Sequence, residues 1–222
     1  ATGVVLSDYA NDNLTASFIP EKDYKDKVSE DAVPLSYMFA VTNLVNSSDK
    51  MNVSIFGQEW DSFISPNLIE GHYPENDQEV VVDQSFENYG IKLGDAIQLN
   101  GSETSFKIVG LTRENKFFTE PVVFTSLTTY WDLQGTTKGN RSISALVLQN
   151  DVEVTGDGLK QISIQKMISK IPGYTPQVNV FSGMILAMIV ITGLIVGIFI
   201  YIITIQKLGL YGIMRAQGIQ IK

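Results

Sequence analysis

Residues 184–205 read MILAMIVITGLIVGIFIYIITI, and the interpretation of the whole chain depends on this stretch. It contains about 22 residues without a charge, whereas an α-helix needs roughly 20 to cross the core of a bilayer. From Ile171 to Gln206 the sequence has no Asp, Glu, Lys, Arg or His. The alternative is a buried helix of a large soluble protein, but no other apolar segment is long enough to cover it. We therefore predict a transmembrane helix over residues 179–206.

Two glycines lie four residues apart inside this helix, at Gly193 and Gly197. A G-x-x-x-G spacing removes side chains from one strip of the helix and lets a second helix approach closely. Glycine is also frequent in membrane helices without any pairing role. Helix packing through Gly193 and Gly197 is one interpretation, and incidental small residues are the other.

The charges on the two sides of the apolar stretch have opposite signs. All 24 acidic residues and thirteen of the 16 basic residues precede it, which leaves a net charge of −11 there, whereas Lys207, Arg215 and Lys222 follow it. Basic flanks of a membrane helix stay in the cytoplasm. We therefore expect a cell-membrane protein with residues 1–178 extracellular and residues 207–222 cytoplasmic. An acidic domain also argues against nucleic-acid binding.

The part before the helix has the pattern of an α+β domain. Gly, Asn, Asp and Pro separate short β-rich runs, and Asn100-Gly101 is a hairpin signal. The predicted strands are Val4–Leu6, Met51–Phe56, Glu79–Asp83, Ala96–Leu99, Phe106–Gly110, Val122–Thr125 and Ser144–Leu148.

Two helices are predicted among these strands. Apolar residues at 164, 167, 168 and 171 have helical spacing, so we predict a helix that begins near Asp157 and ends at Pro172-Gly173. A shorter helix is predicted from Ser85 to Tyr89, closed by Gly90. We expect two lobes: one from residues 1–70 and 139–178, and an inserted, mostly β lobe from residues 71–138.

No recognisable catalytic or metal-binding motif occurs in the sequence. The chain has no cysteine and a single histidine, His72, which we interpret as a solvated turn residue rather than a ligand. The carboxylate groups around Glu75 and Glu30 lie in polar, turn-like sequence, where surface charge is the ordinary explanation. No G-x-S-x-G elbow and no phosphate loop is present. We therefore predict no catalytic residues, no metal and no cofactor.

A succession of short motifs resembles a known family. It begins at Ile55-Phe-Gly-Gln, passes through Glu79-Val-Val-Val-Asp83 and Gly90-Ile-Lys-Leu-Gly94-Asp95, and ends at Phe106-Lys-Ile-Val-Gly110. In this order and spacing it resembles the exterior domain of MacB/FtsX-like ABC transporter permeases. The resemblance implies that the lobe from residues 1–70 and 139–178 is porter-like and that the α+β domain is followed by a transmembrane helix.

A second match lies after the apolar stretch, where Gly212, Arg215, Ala216 and Gly218 fit the cytoplasmic end of a membrane helix in that family and Gln217 departs from it. The preceding T-I-Q-K resembles the haemin-exporter branch of Gram-positive bacteria. The resemblance implies one further helix before Ala1 and two after Lys222, a homodimer, and a cytoplasmic ABC ATPase as partner.

The segment from Lys207 onward is where contact with that ATPase is expected. Leu210, Ile213 and Met214 share one helix face, and Arg215 lies beside it. This face would dock in a groove of the partner. The alternative is a helix end that lies on the inner leaflet and is held by its basic residues.

The function implied is that of a permease subunit of an ABC exporter or mechanotransmitter, for a hydrophobic or amphipathic compound such as haem. ATP hydrolysis would belong to the partner. A single-pass receptor or sensor is the main alternative, and a membrane-anchored enzyme is the least favoured. His72, Met184 and Met188 are residue types that bind haem iron, but nothing in the sequence brings them together.

We predict that the purified chain hydrolyses no ATP by itself, because it lacks a phosphate loop. A coupled-enzyme assay with Mg-ATP would measure this. Sustained turnover that persists after removal of contaminating ATPases would contradict the prediction.

Overall fold

The computed structural model describes residues 1–43, 50–99, 101–150, 152–171 and 173–218, except for the side chain of Arg215. The chain divides into two compact units, Ala1–Lys170 and Ile171–Lys222. The first unit contains thirteen strands and three short α-helices among the described residues. The second unit contains one long helix.

The strands of the N-terminal unit are β1 (Gly3–Ser7), β2 (Ile19–Pro20), β3 (Ala32–Asn43), β4 (Lys50–Gln58), β5 (Leu68–Gly71), β6 (Glu79–Asp83), β7 (Ala96–Leu99), β8 (Ser105–Thr112), β9 (Lys116–Phe117), β10 (Glu120–Ser126), β11 (Ser142–Ile143), β12 (Ala145–Leu148) and β13 (Leu159–Ser163). The α-helices are α1 (Glu21–Tyr24), α2 (Leu127–Leu133), α3 (Ile164–Ser169) and α4 (Tyr174–Ala216). The 3-10 helices are Asp8–Ala10, Leu14–Ala16, Lys25–Lys27 and Gln84–Tyr89.

Most of these strands form one mixed sheet in the order β13-β1-β12-β3-β4-β10-β6-β8-β5. The pairs β4–β10 and β6–β8 are parallel, and the remaining neighbours are antiparallel. Strand β7 joins β3 and β8, and β9 folds back on β10. The predicted α+β class is confirmed. The lobe bounds at residues 71 and 138 stay predictions, and strands from both predicted lobes belong to this single sheet.

The two faces of the sheet bury different side chains, because successive residues of a strand point to opposite faces. One face packs Val5, Ile55 and Leu146 into the largest cluster, which α2 covers with Tyr130 and Trp131. Gly57 permits this close packing, since a Cβ there would lie 2.5 Å from the Cβ of Tyr130.

The opposite face packs Val4, Leu6 and Ile162 into a second cluster, on which Ile164 and Met167 of α3 lie. A third and smaller cluster on other strands is built from Val81, Val122 and Phe124. This second face is covered by short segments rather than by a long helix, and it leaves several aromatic rings partly exposed.

The predictions of local structure were correct in most places and wrong in one helix. Each of the seven predicted strands is present. The β7–β8 hairpin is confirmed by the pairing of Ile97 with Phe106, although Asn100 of its turn lies outside the described residues. The segment 85–89 is a 3-10 helix, closed by Gly90 in the left-handed region.

The helix predicted from Asp157 was wrong in its start. Residues 159–163 form strand β13, which pairs along its length with β1, and the helix occupies only Ile164–Ser169. Edge pairing with β1 satisfies the backbone of this segment and buries Ile162. Ser163 then begins the helix by accepting a hydrogen bond from the backbone N–H of Lys166 at 3.3 Å.

A buried carboxylate ties the start of the chain to its last strand and to α3. Asp12, whose side chain is 7% exposed, lies 2.7 Å from Nζ of Lys160 and 3.4 Å from Nζ of Lys166. Asn11 and Asp12 both have positive φ, a conformation that Asn and Asp tolerate better than most residues. The hydrogen bond from Lys160, with the charges of both lysines, lowers the pKa of Asp12.

We predict that Asp12→Asn destabilises the N-terminal unit at neutral pH by about 1 kcal/mol, because it removes the charge that both lysines contact. A carboxyl group with a lowered pKa in the folded state stabilises the fold above its unfolded pKa, and this contribution is lost as the pH falls through the folded pKa. The difference in free energy of unfolding between variant and parent should therefore become smaller below about pH 4. Thermal unfolding of the whole chain in detergent at several pH values would measure it.

Asp26→Asn is the matched control, because Asp26 is itself exposed and its one ion pair among the described residues is with its neighbour Lys27. We expect Asp26→Asn to lower the free energy of unfolding at pH 7 by less than Asp12→Asn does. Equal stability of the Asp12 variant and the parent at pH 7 would contradict the role given to Asp12.

Candidate functional site

Helix α4 is the first candidate functional element. It runs without a break for 43 residues, which corresponds to about 64 Å at 1.5 Å per residue. Its apolar side chains are exposed all round: Met188, Phe199 and Tyr201 are each about two-thirds exposed. Length and composition suffice for a membrane span from Tyr174 to Met214. The helix continues well beyond the predicted bounds of 179 and 206.

One polar side chain within this apolar stretch has a partner in the preceding turn of the helix. The hydroxyl of Thr204 donates to the carbonyl oxygen of Ile200 at 2.8 Å, one turn earlier. Such a bond within one helix suits a segment in hydrocarbon, where water is not available as a partner.

The predicted packing residues lie on an open surface of α4. A Cβ built at Gly193 or at Gly197 meets no described atom within 4 Å. Packing inside the described chain therefore does not require glycine at either position.

The predicted coupling residues lie in the last turns of α4. Leu210 and Ile213 are 57% and 59% exposed, and Met214 is half-buried. Arg215 is helical in its backbone, but its side chain lies outside the described residues. The structure therefore places Leu210, Ile213 and Met214 on one continuous helix, with an apolar surface that is largely uncovered.

The acidic groups considered in the sequence have structural partners. The carboxylate of Glu79 accepts a hydrogen bond from the backbone N–H of Glu75 at 2.8 Å, and this bond lowers the pKa of Glu79. Asp77 accepts from the hydroxyl of Ser126 at 2.6 Å. Nδ1 of His72 lies 2.8 Å from the carbonyl oxygen of Tyr73. Within the described ranges, no three His, Cys, Asp or Glu side chains are grouped as a metal site would require.

An open cleft of about 710 Å³ lies at one end of the sheet. Its lining includes the carboxylates of Glu30, Glu59 and Asp61 and the rings of Trp60 and Tyr73, whose centroids are 6.0 Å apart. The described lining contains no Lys, Arg or His, so these carboxylates have no basic group in the cleft to act with.

Sequence reasoning did not find an aromatic cluster on the second face of the sheet. The rings of Tyr37, Phe56 and Phe117 lie with their centroids 4.8 to 5.4 Å apart. Phe118 continues the cluster, 4.7 Å from Phe117 in an edge-to-face arrangement. Phe39 follows Tyr37 on the same face of β3, because it is two residues further along the strand. We call these five residues the aromatic cluster.

The polar groups beside the cluster are few. Burial raises the pKa of the Tyr37 phenol, while a hydrogen bond with Ser54 partly opposes this. The carboxylate of Glu120 accepts from the Ser54 hydroxyl at 3.5 Å. The only local signal in the sequence was the Phe117-Phe118 pair, because the other members come from β3 and β4.

The fold of the N-terminal unit is that of known transporter domains. No family model matches the chain. The periplasmic region of MacB from Actinobacillus actinomycetemcomitans aligns with a TM-score of 0.50 and 15% identity, over 78% of this chain and 94% of that one. The extracellular domain of the noncanonic ABC-type transporter YknZ from Gram-positive bacteria aligns with a TM-score of 0.50 and 13% identity, over 68% and 84%.

Two curated proteins of known name are similar to this chain in sequence. A protein of Staphylococcus epidermidis named "Putative hemin transport system permease protein HrtB" is 24% identical over 164 residues, 71% of this chain and 45% of that protein. A protein of the same name from Staphylococcus haemolyticus is 25% identical over 166 residues, 72% of this chain and 46% of that protein. The chain thus spans about half the length of the curated relatives it matches.

The N-terminal unit therefore has the fold of MacB-like extracytoplasmic domains, and one apolar helix follows it. The chain is similar to proteins named as hemin transport system permeases, so the resemblance inferred from the sequence is confirmed.

Proposed function

We propose that the chain is part of the permease subunit of an ABC-type exporter or mechanotransmitter. It would couple ATP hydrolysis in a separate cytoplasmic subunit to export of a hydrophobic or amphipathic compound, and haem is the compound in the names of its relatives. One observation carries the proposal: a unit with the MacB fold leads within a few residues into an uncovered apolar helix of 43 residues.

The orientation proposed puts residues 1–178 outside the cell and residues 207–222 in the cytoplasm. The support is the charge distribution, with −11 before the charge-free stretch and three basic residues after it. Basic residues near a membrane helix remain on the cytoplasmic side.

We predict that Glu75→Cys is labelled in intact cells by a membrane-impermeant maleimide and that Arg215→Cys is labelled only after permeabilisation. The chain has no native cysteine, so each variant carries one reactive thiol. Glu75 is an exposed turn residue, which makes the outer thiol accessible. Labelling of position 215 but not position 75 in intact cells would reverse the orientation.

The end of α4 is proposed as the surface that meets the ATPase. About 22 of the 43 residues of α4 suffice for the bilayer, so roughly half of its length is left for the two sides of the membrane. Leu210, Ile213 and Met214 would supply the apolar strip of this surface, and Arg215 would pair with an acidic rim of the partner. A helix end held on the inner leaflet remains the alternative.

The glycines of α4 support the proposal of a homodimer. Gly193 and Gly197 face open space in the single chain, which is where a second helix could approach closely. The lipid bilayer would cover the remaining apolar surface of α4.

We predict that Met214→Glu abolishes stimulation of the ATPase in the complete transporter while membrane insertion remains normal, because a carboxylate would be forced into an apolar groove. The measurement is ATP turnover of the reconstituted complex. Leu208→Glu is the matched control, since it adds the same charge on the opposite side of the helix.

Normal assembly and stimulation in the Met214 variant would refute the docking surface. Equal loss in both variants would contradict a contact made by one helix face, because the two positions lie on opposite sides of the helix.

A further inference from the structure

We draw no further inference here: the strongest candidate, the open cleft of about 710 Å³ at the end of the sheet, where Glu30, Glu59 and Asp61 lie beside the rings of Trp60 and Tyr73, is an acidic cluster for which no second observation among the described residues points to a ligand.

Discussion

An α-helix with apolar side chains exposed on every side is stable only where something other than water covers it. Helix α4 is such a helix, and nothing in the described part of the chain covers it. A bilayer does so at no cost to the backbone, because every N–H and C=O in the middle of the helix is already paired within it. The other features of the chain follow from this requirement: a charge-free stretch, a local partner for the Thr204 hydroxyl, and opposite charges at the two ends.

The same helix is about twice as long as a bilayer requires. It is uninterrupted over 43 residues, although about 20 suffice to cross the bilayer. Pro176 lies in its first turn, where its missing N–H is not needed, and no proline occurs further along. The helix from Tyr174 to Ala216 is therefore one uninterrupted element. Within the N-terminal unit, the Asp12 carboxylate holds α3 and β13 to the beginning of the chain.

A structural element could be predicted from the sequence where the residues that indicate it lie within one short stretch. The membrane helix and seven strands could be predicted because their patterns lie within short stretches. Strand β3 could not be predicted from the sequence, because Pro34 lies inside it. The structure accommodates Pro34 one residue before the pairing with β4 begins at Leu35. The helical spacing of Ile164 and Met167 was real but began later than predicted, since pairing with β1 outweighed local preference in residues 159–163.

The candidate sites also differ in how far apart their residues lie in the sequence. The apolar strip at Leu210 and Ile213 is visible in the sequence, because helical neighbours are three and four residues apart. The aromatic cluster joins Tyr37 to Phe117 across 80 positions, and only the order of strands in the sheet brings them together. No spacing rule could have predicted that contact.

The aromatic cluster contains two kinds of ring that are under different constraints. Phe56 and Phe117 pack against buried residues of two hydrophobic clusters, so folding alone accounts for them. Phe118 adds little to that packing and holds an unfavourable φ, so folding would favour glycine in its place. Packing therefore accounts for the inner rings, whereas it does not account for the conformation of Phe118.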